Sequence, residues 1–327
     1  MMEKRRFLLL LLPFCCCFCT VSAQWEVPFG HFWTVKSYYN PAFCGETEQV
    51  RLTVLYRYPW TGFENAPQKV VVAVDMPVVF LHRRHGIGMI AQTEKIKTKR
   101  NALLAFQYDF QQPIGKGSLN LGVQVGAYDL NFDAGNMQVV GDSLQFRKGT
   151  VKVSPADRKV IDLTAGLSWS GKRHFIGLSA PHLNQPRFYV RVDSLSSADL
   201  QSDSTLSLIP RSVIFLAGYN IGLFHPLEIQ PMVWALYDGK RKSEVVTTLR
   251  CVYDRRFSGG VSWRKEDGFI FFAGIVIEGV EAGYAYNLHT EGWGKRSRGS
   301  HEVSLRYAFP IESLKQKKQP HKSIRLL

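Results

Sequence analysis

The chain has 327 residues, with 41 lysines and arginines against 27 aspartates and glutamates, and 45% of its residues are apolar. Aromatic and apolar residues run throughout at ordinary charge density, which excludes an intrinsically disordered protein over most of the length. A helical membrane protein is also excluded, because no apolar run after the N-terminus approaches the roughly 20 residues that a spanning helix needs.

The N-terminus has the three parts of a secretory signal peptide. A basic start, an apolar stretch and a small-residue cleavage site follow one another in residues 4–6, 7–19 and 21–23. We therefore expect residues 1–23 to be a signal peptide and the protein to be exported.

The cysteine count predicts no disulfide framework. Four of the six cysteines belong to the signal peptide, which leaves Cys44 and Cys251. Two cysteines so far apart in the sequence also make no metal-binding motif. We expect an exported protein that is not stabilised by disulfides.

Basic clusters account for much of the net charge of +14. They occupy residues 95–100, residues 240–242 and a C-terminal tail, 310–327. Solvated loop charge is one interpretation, and contact with anionic lipid headgroups or an acidic partner is the other. A nucleic-acid partner is not expected of an exported chain.

A period of two dominates the sequence and predicts an all-β protein. Apolar residues alternate with polar residues or glycine in 119–125, 161–169, 280–288 and 303–309. Such alternation suits a soluble sandwich or a membrane barrel. Long strands, a polar phase rich in glycine and charge, and aromatic residues near strand ends favour a transmembrane antiparallel β-barrel.

The strand pattern predicts the organisation of the barrel, which we place at residues 50–309. Loops near 30 residues long, 131–158 and 182–210, fall on the side that is external if both termini are periplasmic. A pre-barrel segment, 24–49, lies inside the barrel or along its rim, and the basic tail is periplasmic. We predict 14 strands, an even number as in bacterial single-chain barrels, at residues 50–57, 69–79, 86–95, 102–111, 118–130, 159–169, 173–181, 211–222, 226–236, 244–253, 257–265, 269–277, 280–288 and 300–309.

Charged residues in the polar phase are expected to pair inside the lumen rather than to form an active site. The carboxylates and arginines concerned are Asp162, Glu228, Glu281, Glu302, Arg250, Arg264 and Arg306. No HExxH metal motif and no Gly-x-Ser-x-Gly elbow is present. We expect no enzymatic activity and no cofactor.

Five segments in order resemble a known family. They are residues 37–45 (SYYNPAFCG), 55–62 (LYRYPWTG), 85–88 (HGIG), 175–186 (FIGLSAPHLNQP) and 283–286 (GYAY). Together they are similar to the signatures of the PorP/SprF family of type IX secretion system membrane proteins. The resemblance implies an outer-membrane barrel of Bacteroidetes that serves type IX secretion and, in some members, gliding motility.

The resemblance also implies partners. It implies that the barrel holds the C-terminal domain of a secreted cargo or adhesin at the cell surface, or that it connects the outer membrane to periplasmic secretion machinery. Outer-membrane lipid is expected around the barrel. A diffusion porin or small-solute channel is the alternative. The candidate residues for a partner site, or for a structural plug or latch, are Tyr38, Tyr39, Asn40, Pro41, Ala42, Phe43, Gly45, Arg57 and Trp60.

Overall fold

The computed structural model describes residues 28–63, 66–96, 99–132, 137–140, 143–146, 152–155, 159–193, 203–239 and 243–310. The predicted signal peptide and the predicted tail beyond residue 310 lie outside these residues. None of the helices in the described ranges is long and apolar enough to cross a membrane.

Antiparallel strands make up most of the described chain. In chain order they are β1 (Gln49–Tyr58), β2 (Gln68–Phe80), β3 (Arg83–Ile96), β4 (Lys99–Ile114), β5 (Gly117–Phe132), β6 (Met137–Val140), β7 (Ser143–Phe146), β8 (Lys152–Pro155), β9 (Lys159–Gly171), β10 (His174–Ala180), β11 (Arg187–Asp193), β12 (Asp203–Leu208), β13 (Val213–Tyr219), β14 (Ile221–Phe224), β15 (Leu227–Tyr237), β16 (Ser243–Tyr253), β17 (Phe257–Arg264), β18 (Gly268–Ile277), β19 (Val280–His289) and β20 (Ser300–Pro310).

The strands close into a barrel of 14 within the part of the chain that the structure describes, which confirms the predicted fold and strand number. Neighbours along the chain pair in sequence, and the first and last strands close the ring, with Gln49 opposite Pro310. Strands β13 and β14 form one barrel strand, interrupted at Asn220. Strands β6, β7, β8, β11 and β12 stand outside the ring.

The two phases of each strand face different surroundings. In β5 the residues Leu121, Val123 and Val125 are each more than half exposed, whereas Asn120 and Gln124 are buried. The same pattern, apolar side chains exposed and polar side chains buried, recurs in β9 and β20. Apolar side chains on the outer wall and polar side chains in the lumen are the arrangement of a barrel immersed in lipid.

Connection lengths fix the orientation of the barrel. One end has only short turns, at residues 81–82, 115–116, 172–173, 225–226, 254–256 and 278–279, and it also receives both termini of the barrel. The long connections leave from the other end. Because barrels of this kind have short periplasmic turns and long external loops, the first end is periplasmic.

The two long external connections differ from the prediction, because they contain strands. Strand β8 in the first connection pairs with β11 in the second, and β11 also pairs with β12. Strands β6 and β7 form a separate hairpin. The sequence of β11, RFYVRVD, has strand-like alternation, but its partner lies in a different loop, so local sequence does not show the pairing.

The predicted strand 211–222 is also interrupted. At Asn220 the backbone N–H donates to the Arg173 carbonyl at 2.6 Å, outside the regular ladder. Beyond that point β14 pairs with β15 alone among the described strands. The wall is therefore less regular at the periplasmic edge next to the β9–β10 turn.

Candidate functional site

Residues 28–48, here called the plug, fill the lumen of the barrel. The plug consists of a 3-10 turn (Phe32–Val35), a single helical turn (Lys36–Tyr39) and a second 3-10 turn (Pro41–Phe43). Most of its side chains are buried, although it contributes no strand to the wall. Of the two places left open for the pre-barrel segment, the described residues occupy the interior.

The Asn40–Pro41 step directs the path of the plug. Asn40 has extended backbone angles, φ −150° and ψ 110°, as expected for a residue that precedes proline. Its side-chain Oδ1 accepts a hydrogen bond from Ala42 N at 2.9 Å, which caps the second 3-10 turn. The helical turn therefore ends here and the chain bends against the wall.

Hydrogen bonds join the middle of the plug to strands β9 and β10. Asn40 Nδ2 donates to the Leu167 carbonyl at 3.1 Å. The hydroxyls of Ser168 and Ser179 donate to the carbonyls of Ala42 and Tyr39 at 2.7 and 2.6 Å. These bonds satisfy backbone groups that a coil segment buried in a lumen would otherwise leave unpaired.

Glycines on the inner wall permit this close approach. A Cβ built on Gly122 would lie 2.1 Å from Ala42 N, and one on Gly166 would lie 2.0 Å from Asn40 Oδ1. Any side chain at these positions would occupy the volume of the plug. The glycines in the polar phase therefore shape the seat for residues 40–42.

Aromatic rings form the apolar centre of the lumen. Trp33 packs against Phe272 with ring centroids 4.7 Å apart, and Phe43 meets Phe175 edge to face at 5.7 Å. Tyr39 contacts Trp234 of β15 at 5.8 Å. A lumen that carries its own aromatic core is packed like a protein interior rather than open like a channel.

An ion cluster holds the periplasmic end of the plug. Arg51 Nη2 pairs with Asp75 Oδ1 at 2.7 Å and also donates to the Phe43 carbonyl at 3.3 Å. Asp75 Oδ1 accepts from Gly45 N at 3.0 Å, where φ is +62°. Lys36 and Glu46 pair within the plug at 2.7 Å. The positive φ at position 45 favours glycine, which turns the chain from the lumen toward β1.

A second ion cluster holds the external end. Pro28 O accepts hydrogen bonds from Arg57 at 3.2 Å and from Arg264 at 2.9 Å. Arg57 pairs with Glu302 at 3.3 Å, and Glu302 also accepts from the backbone of Gly30. The plug thus runs from the external end of the lumen at residue 28 to the periplasmic end at residue 45.

Asp267, in the external turn between β17 and β18, completes this second cluster. It pairs with Arg264 at 2.8 Å and with the imidazole of His289. Burial opposes its ionisation, but the hydrogen bond with His289 and the charge of Arg264 outweigh burial and lower the pKa of Asp267 to about 2. The turn is therefore held by a carboxylate that stays ionised well into the acid range.

The predicted luminal charges do pair with one another, although in the described part of the chain only Glu281 with Arg306 joins neighbouring strands, and Arg250 of β16 reaches Glu281 of β19 across the lumen. Glu281 accepts from Arg250 at 3.3 Å and also from Arg306. Asp162 bonds to His182 at 2.8 Å. Cys44, buried in the plug, and Cys251, exposed on the outer wall, are both free. Among the described residues, no group of three potential ligands has the spacing of a metal site.

The structure brings most of the candidate site residues together. Tyr38, whose hydroxyl donates to Gln92 at 2.6 Å, lies in the plug with the six candidates from Tyr39 to Gly45. Arg57 reaches the same lumen from β1. Trp60 stands apart, in the loop after β1, and is 38% exposed.

Several residues that seat the plug were not singled out from the sequence. They are Arg51, Asp75, Ser168, Ser179 and the wall glycines. In the sequence these positions show only glycine, serine or a charged residue in the inward phase of a strand. That pattern indicates a lumen filled with protein or water, but it does not show which segment fills it.

Fold and site together define a class: an outer-membrane β-barrel whose lumen is closed by its own N-terminal segment. The family model for the type IX secretion system membrane protein PorP/SprF matches residues 21–307. The chain belongs to this family, as the resemblance implied, and its place is the outer membrane.

The chain is similar to several solved structures at low identity. The chain is similar to the CymD monoaromatic hydrocarbon channel, with 11% identity, a TM-score of 0.50, and coverage of 85% of this chain and 93% of that one. A Pseudomonas aeruginosa FadL homologue has 10% identity, a TM-score of 0.49 and coverage of 84% and 93%. The Pseudomonas putida toluene transporter TodX has 10% identity, a TM-score of 0.46 and coverage of 86% and 93%. No curated protein matches the chain.

Proposed function

We propose that this barrel is a non-enzymatic component of the type IX secretion system whose task is to bind protein. Its partner is a secreted cargo or adhesin, held at the cell surface through a C-terminal domain, or a periplasmic component of the secretion and gliding machinery. Family membership supports a secretion role, and the architecture supports binding over transport.

The filled lumen is the observation that carries this proposal. The plug is seated by hydrogen bonds to the wall at its middle and by buried ion clusters at both ends. Breaking a buried ion pair by removing one partner costs about 3–5 kcal/mol, so a plug held at several points is not readily displaced by a small solute. A barrel closed in this way offers its two rims, rather than a pore, to other molecules.

The external rim favours the cargo or adhesin as partner. Strands β8, β11 and β12 form a sheet that joins the two long external connections, and β8 and β12 lie at its edges within the described residues. An edge strand has backbone groups that can pair with an added strand of another protein. Such a platform suits a secreted domain that reaches the cell surface.

Complementation of a gene deletion tests the proposal. The deletion strain receives the wild-type gene or a variant in which a short Gly-Ser linker replaces residues 187–208, and cell-surface cargo is measured by proteomics of the surface fraction. We expect the deletion to lose surface cargo and the variant to restore the barrel without restoring cargo. Full export and attachment of every type IX substrate in the deletion strain would refute protein binding as the function.

Single-channel recording separates binding from the channel alternative. The purified wild-type protein is reconstituted in planar bilayers at symmetric salt. We expect no stable open state, because the plug occupies the lumen. A large, steady conductance of the wild-type protein would favour the diffusion channel instead.

A further inference from the structure

Two neighbouring periplasmic turns bring three cations together. Strands β5 and β9 pair up to their periplasmic ends, where Gly117 lies opposite Gly171. Lys116 precedes the first glycine, and Lys172 and Arg173 follow the second. Register therefore places all three basic residues side by side at the rim, and all three are exposed.

These three cations differ from most others on the same rim, with Arg83, which donates to Gln112, as an exception. Three rim arginines have a carboxylate within reach, in the pairs Arg84–Glu48 at 3.6 Å, Arg255–Glu228 at 4.0 Å and Arg256–Asp254 at 3.7 Å. Among the residues that the structure describes, Lys116, Lys172 and Arg173 have no such carboxylate partner. Their positive charge is left for a ligand from outside the chain.

A flat group of rings covers the wall directly beside the cations, on the lipid side. Trp169 Nε1 donates to His174 Nε2 at 3.2 Å, and the imidazole stacks on Tyr219 with an interplanar angle of 8°. A Cβ on Gly117 would lie 2.7 Å from the indole of Trp169, and one on Gly171 would lie 2.7 Å from the ring of His174. The paired glycines thus let both rings lie against the strands.

A cavity of about 200 Å³ borders the same turn. Its lining includes Lys172, Arg173 and Asn220, where the barrel strand is interrupted, and on the lumen side the paired plug residues Lys36 and Glu46. The recess opens toward the lumen, and the cations of the turn stand between it and the rings on the lipid side. Those rings lie at the depth where a bilayer changes from headgroups to acyl chains.

We propose that this site binds the phosphate of a phospholipid in the inner leaflet of the outer membrane. The cations hold the phosphate diester, and the ring surface of Trp169, His174 and Tyr219 supports the glycerol region and the first part of the acyl chains. Phospholipid is favoured over an acidic protein because the rings face lipid and continue the apolar outer wall. This inference depends on the outer-membrane location alone and not on the proposed cargo function.

Native mass spectrometry of the full chain in detergent, with added dioleoyl phosphatidylglycerol, tests the site. The test variant combines Lys116→Gln, Lys172→Gln and Arg173→Gln. Its matched control removes three charges at the external end through Lys265→Gln, Lys295→Gln and Arg296→Gln. Near an anionic headgroup each cation contributes about 1 kcal/mol, or about five-fold in affinity.

We expect the test variant to bind the first lipid on the order of a hundred-fold more weakly, and the control to stay within about two-fold of wild type. Heat-modifiable migration on a gel checks that each barrel is folded. If the triple variant does not fold, Lys172→Gln alone should weaken binding by about five-fold.

Three results would overturn the proposal. Equal loss in the test and control variants would indicate general charge attraction. Displacement of the lipid by millimolar inorganic phosphate would indicate a site for free anions. Unchanged lipid affinity with loss of a co-purifying acidic protein would indicate a protein-docking surface.

Discussion

Replacing Gly122 by alanine tests whether the plug depends on the wall glycines. The added Cβ would lie 2.1 Å from Ala42 N and 2.3 Å from Pro41 C, whereas real Cβ contacts are essentially never under 3.0 Å. Both neighbours are backbone atoms, so no side-chain rotation relieves the clash. Because the wall itself is fixed by the ladders of β5 with β4 and β9, we expect the plug to move away instead.

The size of the effect follows from the bonds that hold this part of the plug. Moving residues 39–42 away from the wall breaks the hydrogen bonds made by Asn40, Ser168 and Ser179. Each contributes about 1 kcal/mol net, so their loss favours the undocked plug by about 3 kcal/mol. That corresponds to an increase on the order of a hundred-fold in the undocked population.

Trypsin reports this population, because Lys36 is the single lysine or arginine in residues 28–48 and is largely buried. When opening and closing are fast, the cleavage rate follows the fraction that is open. We expect the Gly122→Ala protein to be cut at Lys36 on the order of a hundred times faster than wild type in detergent. N-terminal sequencing of the large fragment, which should begin at Ser37, identifies the cut.

Gly222→Ala is the matched control, because a Cβ at that strand position meets nothing within 4 Å. It should be cleaved at Lys36 as slowly as wild type. If Gly122→Ala is as resistant as Gly222→Ala while both barrels are folded, the plug does not depend on close contact with the wall, and the reasoning fails.

Three further predictions concern the lipid-facing wall and the ion clusters. Val123 is 51% exposed on the outer wall, so Val123→Leu should leave the stability unchanged, whereas Val123→Arg should lower the free energy of unfolding in lipid by about 2–4 kcal/mol. Urea titrations of the two variants measure this, and equal stability would contradict lipid contact. Arg51→Leu should lower the free energy of unfolding by about 3–5 kcal/mol, because it leaves the buried Asp75 carboxylate without its ion-pair partner. The variant should then unfold at a lower temperature in the heat-modifiable migration assay, and an unchanged temperature would mean that the pair is dispensable. Asp267→Asn should destabilise the barrel by about 1–2 kcal/mol above pH 4, since a lowered pKa stabilises the fold above the unfolded value of 3.8. That difference from wild type should fade as the pH falls toward about 2, and a constant difference in thermal unfolding between pH 5 and 2.5 would rule out ionisation as its source.

Alternation along each strand was sufficient to predict the barrel. Every second residue is apolar from Leu119 to Ala127 of β5 and from Val303 to Phe309 of β20. The predicted bounds 118–130 and 300–309 lie within two residues of the observed Gly117–Phe132 and Ser300–Pro310. The side chains of such a strand point alternately into lipid and into the lumen, so the residue type at each position indicates which of the two it faces. Strand number, closure and the outer wall were therefore available from local sequence.

The sequence also identified the SYYNPAFCG segment as a candidate plug or partner site. The extended backbone at Asn40 follows from its own sequence, since the effect of proline on the preceding residue is local. The sequence left open whether that segment lies in the lumen or along the rim. The contacts that decide the matter join residues far apart, such as Ala42 with Ser168 and Tyr39 with Ser179, 126 and 140 positions away.

Only closure of the barrel places those partners together. Gly122 and Gly166 lie opposite one another in the β5–β9 ladder, and each has the appearance of an ordinary strand glycine until residues 40–42 of the plug are placed against that pair. The pairing of β8 with β11 is likewise between two different loops. The period of two shows whether a side chain faces lipid or the lumen. The binding of a coil segment inside the lumen depends instead on the space and the hydrogen bonds that several strands contribute, and only the tertiary structure determines these.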